Sequence, residues 1–463
     1  MTQHKQSVTK LILEASPSSL FVRLALPSML GLFLMGLNRY IDAVFVGQYL
    51  GEDAVAGLAL AFPPILAILS VVNLVGTGAA ALLSIAIGAQ NTRIQQRILG
   101  NLVILSIALG GLLTFSAPFS EAIIQVMGGE GESLRQGTRY LSITLWASIP
   151  AVLGQSLNHF IRGEGKMVFS ASLVASAIAT NIALTALFVA GLGWGIEGAA
   201  WATNISMLTY CAVSWFYFKG GFASFDVRLK LCWDNDIAQS IVKMGFPMMI
   251  VAAMNVLQHF VIVHLLTKTG TARDVAFFGV VHRTVFLAVF PIFGLMRALQ
   301  PVIGINYGAN QMERGLRTFK FFNWTGTAMI LAFWIPSMLW PKAVLNIVLS
   351  GSFSPAEVFY FRLYTTVILL YPFLFNTLAL LLGIAKASPA TMLSLARQLI
   401  LFLPIAFLLT AWYPVSGIYY TLAGIDFIVA GLAALIVRRT LRNLEPATQD
   451  GHQVTQLQTF DFE

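Results

Sequence analysis

The sequence predicts an all-α polytopic membrane protein: twelve transmembrane helices in two parallel-repeat six-helix lobes around a central cleft. Three observations predict it. Of the 463 residues, 57% are hydrophobic and only 10% are charged, against about 25% charged in soluble domains. Twelve apolar stretches are close to or longer than the roughly 20 residues that a spanning helix needs. Four landmarks, Pro27, Gly88, Gly163 and Lys166, return as Pro247, Gly308, Gly383 and Lys386, each 220 positions later.

The elements follow in order. Residues 1–19 are polar and mixed, with no short apolar core before a small-residue cleavage site. They are expected to form a cytoplasmic N-terminal segment, with the first helix an uncleaved anchor. The first six stretches, about 20–46, 55–85, 98–116, 141–160, 169–192 and 196–218, make an N-lobe over residues 20–218. Residues 219–241 read as a cytoplasmic linker that opens on Gly220-Gly221 and continues as a short charged, amphipathic run. Six more stretches, about 242–266, 275–303, 319–340, 361–385, 389–412 and 418–437, make a C-lobe over 242–437. A polar cytoplasmic tail, 438–463, follows. Six helices per lobe start and finish each lobe on one side, so the repeats are parallel rather than inverted.

The net charge of +8 is explained by its distribution and not by nucleic acid. Arg93, Arg97, Arg162, Lys166, Lys219, Arg228, Lys230, Arg314, Arg317, Lys320 and Lys386 are assigned to the loops of one side, and Arg438, Arg439 and Arg442 to the tail. The other side has Arg135, Arg139, Lys268, Arg273, Lys342 and Arg362. That asymmetry fits both termini lying in the cytoplasm. Cys211 and Cys232 form neither a disulfide framework nor a zinc pattern.

Prolines punctuate the spans at Pro27, Pro63, Pro64, Pro150, Pro247, Pro291, Pro301, Pro336, Pro372 and Pro404. Each removes a backbone donor, so it marks a static kink or a bend used in gating. Met244, Met248, Met249 and Met254 crowd the seventh stretch with Phe246 and Phe260, which suits either an adaptable cavity or ordinary packing.

Acids inside lipid need a reason, since each costs on the order of 2.5–3.5 kcal/mol at a helix centre. Two fall clearly within the stretches, Asp42 and Asp426. Asp42 lies near Asn38 and Arg39 on the first helix, and two readings stay open: a coupling carboxylate, or an internal salt bridge with Arg39. Asp426 reads as a cap, an inter-helix bond or a functional acid. Asn181 and Thr185 share a face of the fifth helix, with Thr203 and Asn204 on the sixth and Gln155 and Asn158 on the fourth. Oxygen-rich side chains of this kind suit Na⁺, and they also glue helices together. His259, His282, Arg283 and Arg297 are further costly residues of the second lobe. Two similar bundles in a membrane imply a transporter that rocks about a central cavity. No acidic metal cluster or His–Asp base pair supports an enzyme.

Several words in order, IDAVFVGQYLGEDAVAGLALAFPP, GTGAAALLSIAIGAQ, FIRGEGKMVFSASLV, NIALTALF, WGIEGAAWATNIS, VVHRTVFLAVFPIFGLMRALQPVIGINYGAN and GIDFIVAG, resemble the MATE (multidrug and toxic compound extrusion) family, above all its MepA-like branch. The resemblance runs from Pro27 to Arg439. It implies export of cationic or amphipathic molecules by exchange for H⁺ or Na⁺, by a monomer that needs no cofactor beyond the coupling ion. It places Asp42 on the first-helix acid used for coupling, and Asn181 and Thr203 on its polar partners. A Na⁺ site at Asp42, Asn181 and Thr203 is implied; no other metal is. The family's Asn-x-x-x-Asp is here Asn181 to Thr185, and a seventh-helix Glu of another branch is Asn255. Asn38, Arg39, Asn158, Asn255 and Asp426 are candidate cleft or coupling modulators. A flippase for a lipid-linked saccharide is the alternative, favoured by Arg39, Arg283 and Arg297.

Overall fold

Long apolar runs between capping residues set the helices. The computed structural model describes residues 7–224, 233–346 and 352–444; the side chains of residues 7, 36–44, 47, 52, 256, 272, 276, 283, 443 and 444 lie outside the described set. Expectations for residues 225–232 of the linker, Cys232 among them, and for 445–463 of the tail also lie outside it.

After a short helix, Ser7–Glu14, the N-lobe contains α1 (Leu26–Leu50), α2 (Glu52–Val72, a π turn Asn73–Thr77, then Gly78–Gly88) and α3 (Thr92–Phe115). It continues with α4 (Gly131–Trp146 and Ser148–Gly163), α5 (Met167–Thr185 and a π turn Ala186–Gly191) and α6 (Gly195–Lys219). The C-lobe contains α7 (Asn235–Thr269), α8 (Ala272–Gly308) and α9 (Met312–Leu339). Then come α10 (Pro355–Val367, Ile368–Leu370, Tyr371–Gly383), α11 (Ala387–Leu395, a π turn Ala396–Ile400, Phe402–Trp412) and α12 (Ser416–Leu444). No strand occurs among the described residues. Caps fix the starts: Asn91 accepts from Ile94 N–H, Asp234 from Ile237 N–H, and Thr271 with Asp274 and Ser354 with Glu357 form reciprocal capping boxes.

Nine helices among the described residues are long and apolar enough by themselves to cross a membrane; α4, α6 and α9 fall outside that set. The α4 residues extend well before the apolar stretch. Arg135 and Arg139, assigned to a loop by sequence, lie on its first segment, which buries Tyr140, Leu141, Thr144 and Leu145. An amphipathic turn continues a helix beyond the hydrocarbon as long as one face packs. For the same reason Arg162 and Arg362 are helical and not in loops.

The duplication is written into the backbone. Gln90 and Asn310 both take left-handed φ values, 56° and 57°, and so do Gly165 and Ala385, at 81° and 57°. These pairs stand in corresponding connections, α2–α3 with α8–α9 and α4–α5 with α10–α11. We call this end of the bundle the basic face.

Near the basic face the lobes interlock through glycines of α2, α7 and α8. A Cβ added to Gly88 would overlap the carbonyl oxygen of Ile305, and one on Gly308 would overlap that of Ile85. Gly78 and Gly245 make similar approaches to the carbonyls of Ile241 and Leu74. Small residues allow such close helix crossings where apolar burial gives no drive inside lipid. One apolar core runs through both lobes here, including Leu83, Ile98, Phe160, Ile241, Leu299 and Ile305. A second core belongs to the N-lobe alone, with Val46, Ile68, Ile124, Leu141, Val152 and Ala200. The packing is thus shared between the lobes at the basic face, while the opposite half of the N-lobe packs on itself. The helix Ser7–Glu14 spans the seam: Ile12 is fully buried, its side chain lies against Gly165, and Arg314 of α9 donates to the carbonyls of Ile12 and Ala15.

Candidate functional site

Four polar groupings interrupt the apolar interior. The first is the N-lobe set expected from sequence. Asn181 on α5 donates from Nδ2 to Thr203 Oγ1 on α6 at 3.3 Å, and Thr203 Oγ1 donates onward to the Ala199 carbonyl at 3.1 Å. Asn181 and Thr185 are buried. Asn204 has a different task, donating to the Ile143 carbonyl at 2.6 Å and tying α6 to α4.

Asn158 is built into the scaffold. Its Oδ1 accepts from Ser170 Oγ at 2.8 Å and from Arg162 Nη1 at 3.1 Å, while its Nδ2 donates to the Ser170 carbonyl at 3.2 Å. These bonds tie α4 to α5 and hold Arg162 in place. Gln155 donates within its own helix to Ala151.

The second grouping is a cavity between the lobes, lined by Asn73, His159, Arg162, Met248, Arg297 and Gln300 among others. Asn73 and Thr77 bound the π turn of α2, an interruption that widens the helix and turns side chains inward. Thr77 Oγ1 shares a hydrogen bond of 3.1 Å with His159 Nδ1, and Gln300 Nε2 donates to the Thr77 carbonyl from the other lobe at 3.4 Å. Sequence reading had put Arg162 in a loop and passed over His159. The spacing of Gln155, Asn158, His159 and Arg162 along one helical stripe was the available signal.

The third grouping lies in the C-lobe. Asp426 on α12 accepts two bonds from Arg397 on α11, Nε at 2.5 Å and Nη2 at 3.1 Å. The guanidinium also lies 5.1 Å from the Tyr371 ring centre. Asp426 thus forms an inter-helix ion pair. Arg397 was missed, although Arg397-Gln398 breaks an otherwise apolar run. His282 Nδ1 meets the Tyr364 hydroxyl at 3.2 Å.

A fourth cluster sits in the α4–α5 connection at the basic face. Glu164 is fully buried, accepting from the Tyr217 hydroxyl at 3.0 Å and from Ser224 N–H at 2.7 Å. Burial pushes its carboxyl up, opposed by Lys166 and by those hydrogen bonds. No cluster of three or more His, Cys, Asp or Glu able to hold a metal occurs among the described residues.

With this geometry in place, the comparisons with known proteins are specific. The MatE family profile matches residues 27–187. Multidrug export protein MepA of Staphylococcus haemolyticus (strain JCSC1435) is 26% identical over 438 residues, covering 93% of this chain and 95% of its own length. MepA of Staphylococcus aureus (strain MRSA252) is 23% identical over 429 residues, covering 90% and 93%. A crystal structure of MATE in the bent conformation superposes with a TM-score of 0.88 at 23% identity, covering 97% of this chain and all of its own. The chain thus resembles MATE proteins, by profile over most of its N-lobe and by fold over nearly its whole length. Asn38, Arg39 and Asp42 lie on α1, with side chains outside the described residues, as is that of Arg283. Asn255 is exposed on α7.

Proposed function

We propose that this protein is a MATE-type secondary multidrug exporter of a bacterial cytoplasmic membrane, moving cationic or amphipathic small molecules outward in exchange for H⁺ or Na⁺. The observation that carries this reading is the glycine seam: the lobes interlock at the basic face, while the opposite half of the N-lobe keeps a core of its own. That is one of the two states alternating access requires. The basic face is the cytoplasmic one by the positive-inside rule, and this state presents the cleft to the outside. The MepA relatives are named as multidrug export proteins, which supports the cargo class.

In this reading Asp42 is the coupling acid, with Asn181, Thr203 and Thr185 as its polar surroundings. Proton or Na⁺ uptake from outside changes the hold of Asp42 on cargo, and the lobes then rock. A ligand drives such a switch only through different affinities for the two states. A potential of 100 mV contributes about 2.3 kcal/mol per charge moved. One protomer suffices, since each contains both lobes.

The test is efflux of a fluorescent cation from vesicles under an imposed sodium or pH gradient. One gradient should drive efflux, and Asp42→Asn should abolish it while the protein still inserts and folds. Efflux indifferent to both gradients would overturn the reading.

A further inference from the structure

Arg162 comes from the N-lobe and Arg297 from the C-lobe, yet both line the same cavity on the seam between the lobes. Neither guanidinium has a counter-ion among the described residues. Arg162 directs Nη1 to the neutral Asn158, and its Nη2 is buried with no partner. The charged neighbour felt by Arg162 is Arg297 itself, and the one acidic group among the described residues that interacts with either is the Tyr210 phenol, which is neutral at pH 7. Like charges facing across a closed seam push it apart, and a buried guanidinium normally has an anionic or hydrogen-bonded partner. The C-lobe shows the usual solution, Arg397 held by Asp426. Among the described residues the seam lacks that solution and keeps instead a small cavity, with room for about one or two waters.

The rest of the lining fits an anionic guest with an apolar portion. Gln300, Asn73 and His159 add polar atoms to the charged end, whereas Met248, Met296 and Leu382 supply an adaptable apolar wall. Guanidinium groups match phosphate oxygens through paired N–H donors.

We propose that this inter-lobe cavity is a phosphate-type oxyanion site, held by Arg162 from one lobe and Arg297 from the other. The oxyanion arrives either free or as the head group of an amphiphile. A bound oxyanion neutralises both guanidiniums and bridges the lobes, so it favours the state closed at the basic face. This goes beyond the export reading, because it does not involve Asp42 or an ion gradient.

The experiment uses the full chain in an uncharged maltoside detergent, titrated separately with inorganic phosphate, decyl phosphate and decyltrimethylammonium. Decyl phosphate should raise the melting temperature in a saturable way, and decyltrimethylammonium should not. Arg297→Gln should weaken decyl phosphate at least tenfold, and Arg297→Lys should retain part of the affinity. Without ligand, Arg297→Gln should melt no lower than the parent, since it removes one of two like charges lining the same cavity; a lower melting point counts against the site. Binding of inorganic phosphate as well identifies a free oxyanion as sufficient, and binding of decyl phosphate alone identifies an amphiphile. Binding of neither, equal binding of the cation, or an unchanged affinity in Arg297→Gln overturns the proposal. Because these measurements need no gradient, their failure leaves the export reading standing, and failed gradient-driven efflux leaves this site standing.

Discussion

Gly88 of α2 lies directly against the carbonyl oxygen of Ile305 on α8, with no room for a single added carbon, and Gly308 stands in the same relation to Ile85. Both glycines and both isoleucines are separated by the repeat distance of 220. The seam is therefore a contact between equivalent surfaces of the two halves, about a pseudo-twofold axis. Closure at the basic face depends on two missing side chains.

Gly88→Val should open this seam. Overpacking of a tight contact costs about 1–3 kcal/mol, and an energy of that size changes a two-state ratio about 5–150-fold. Ser84 lies in the seam against Gly304. A Ser84→Cys reporter, with the native cysteines removed, should react faster with an impermeant maleimide applied from the basic face. An unchanged rate would mean that the glycine does not govern closure.

Asp426→Asn should be strongly destabilising, because it leaves Arg397 buried without its carboxylate. Breaking such a pair costs about 3–5 kcal/mol, whereas replacing both partners by apolar residues is often far milder. Unfolding in mixed micelles should rank Asp426→Asn below the Arg397→Leu, Asp426→Leu double variant. The reverse order would show that the bond between α11 and α12 carries little energy.

Glu164 gives a pH signature. Its folded-state pKa stands above the ordinary 4.5 because burial disfavours the charge. Folding therefore takes up a proton between the two values. The contribution is full below 4.5 and is lost as pH rises through the folded value. The melting temperature of the parent should fall across that window, and Glu164→Gln should flatten the dependence. A parallel fall in both proteins would assign it elsewhere.

Asn158→Leu should lower stability by about 1–3 kcal/mol, the usual penalty for orphaned buried polar partners. Ser170 and Arg162 both lose a bond. Thermal melting checks the loss. Asn158→Asp, which keeps the acceptor oxygen beside Arg162, should retain more stability than Asn158→Leu.

Sequence alone determined the membrane class, the twelve spans and the duplication, because these follow from local apolarity and from a register that survives in single residues. It also placed Asn181 and Thr203 among a wider set of polar residues on the fourth to sixth helices, and the structure joins these two by a hydrogen bond. Helix ends were less legible: the apolar run of α4 stops well short of the amphipathic helix that continues it. Only the tertiary structure decided that Arg162 is no loop residue but lines one cavity with Arg297 across the lobes, that Asn158 bonds Ser170 and Arg162, and that Arg397 is the partner of Asp426. A polar side chain in a membrane helix declares its cost by its chemistry. Which group compensates that cost depends on how distant helices cross, and crossings are set by packing that no local pattern encodes.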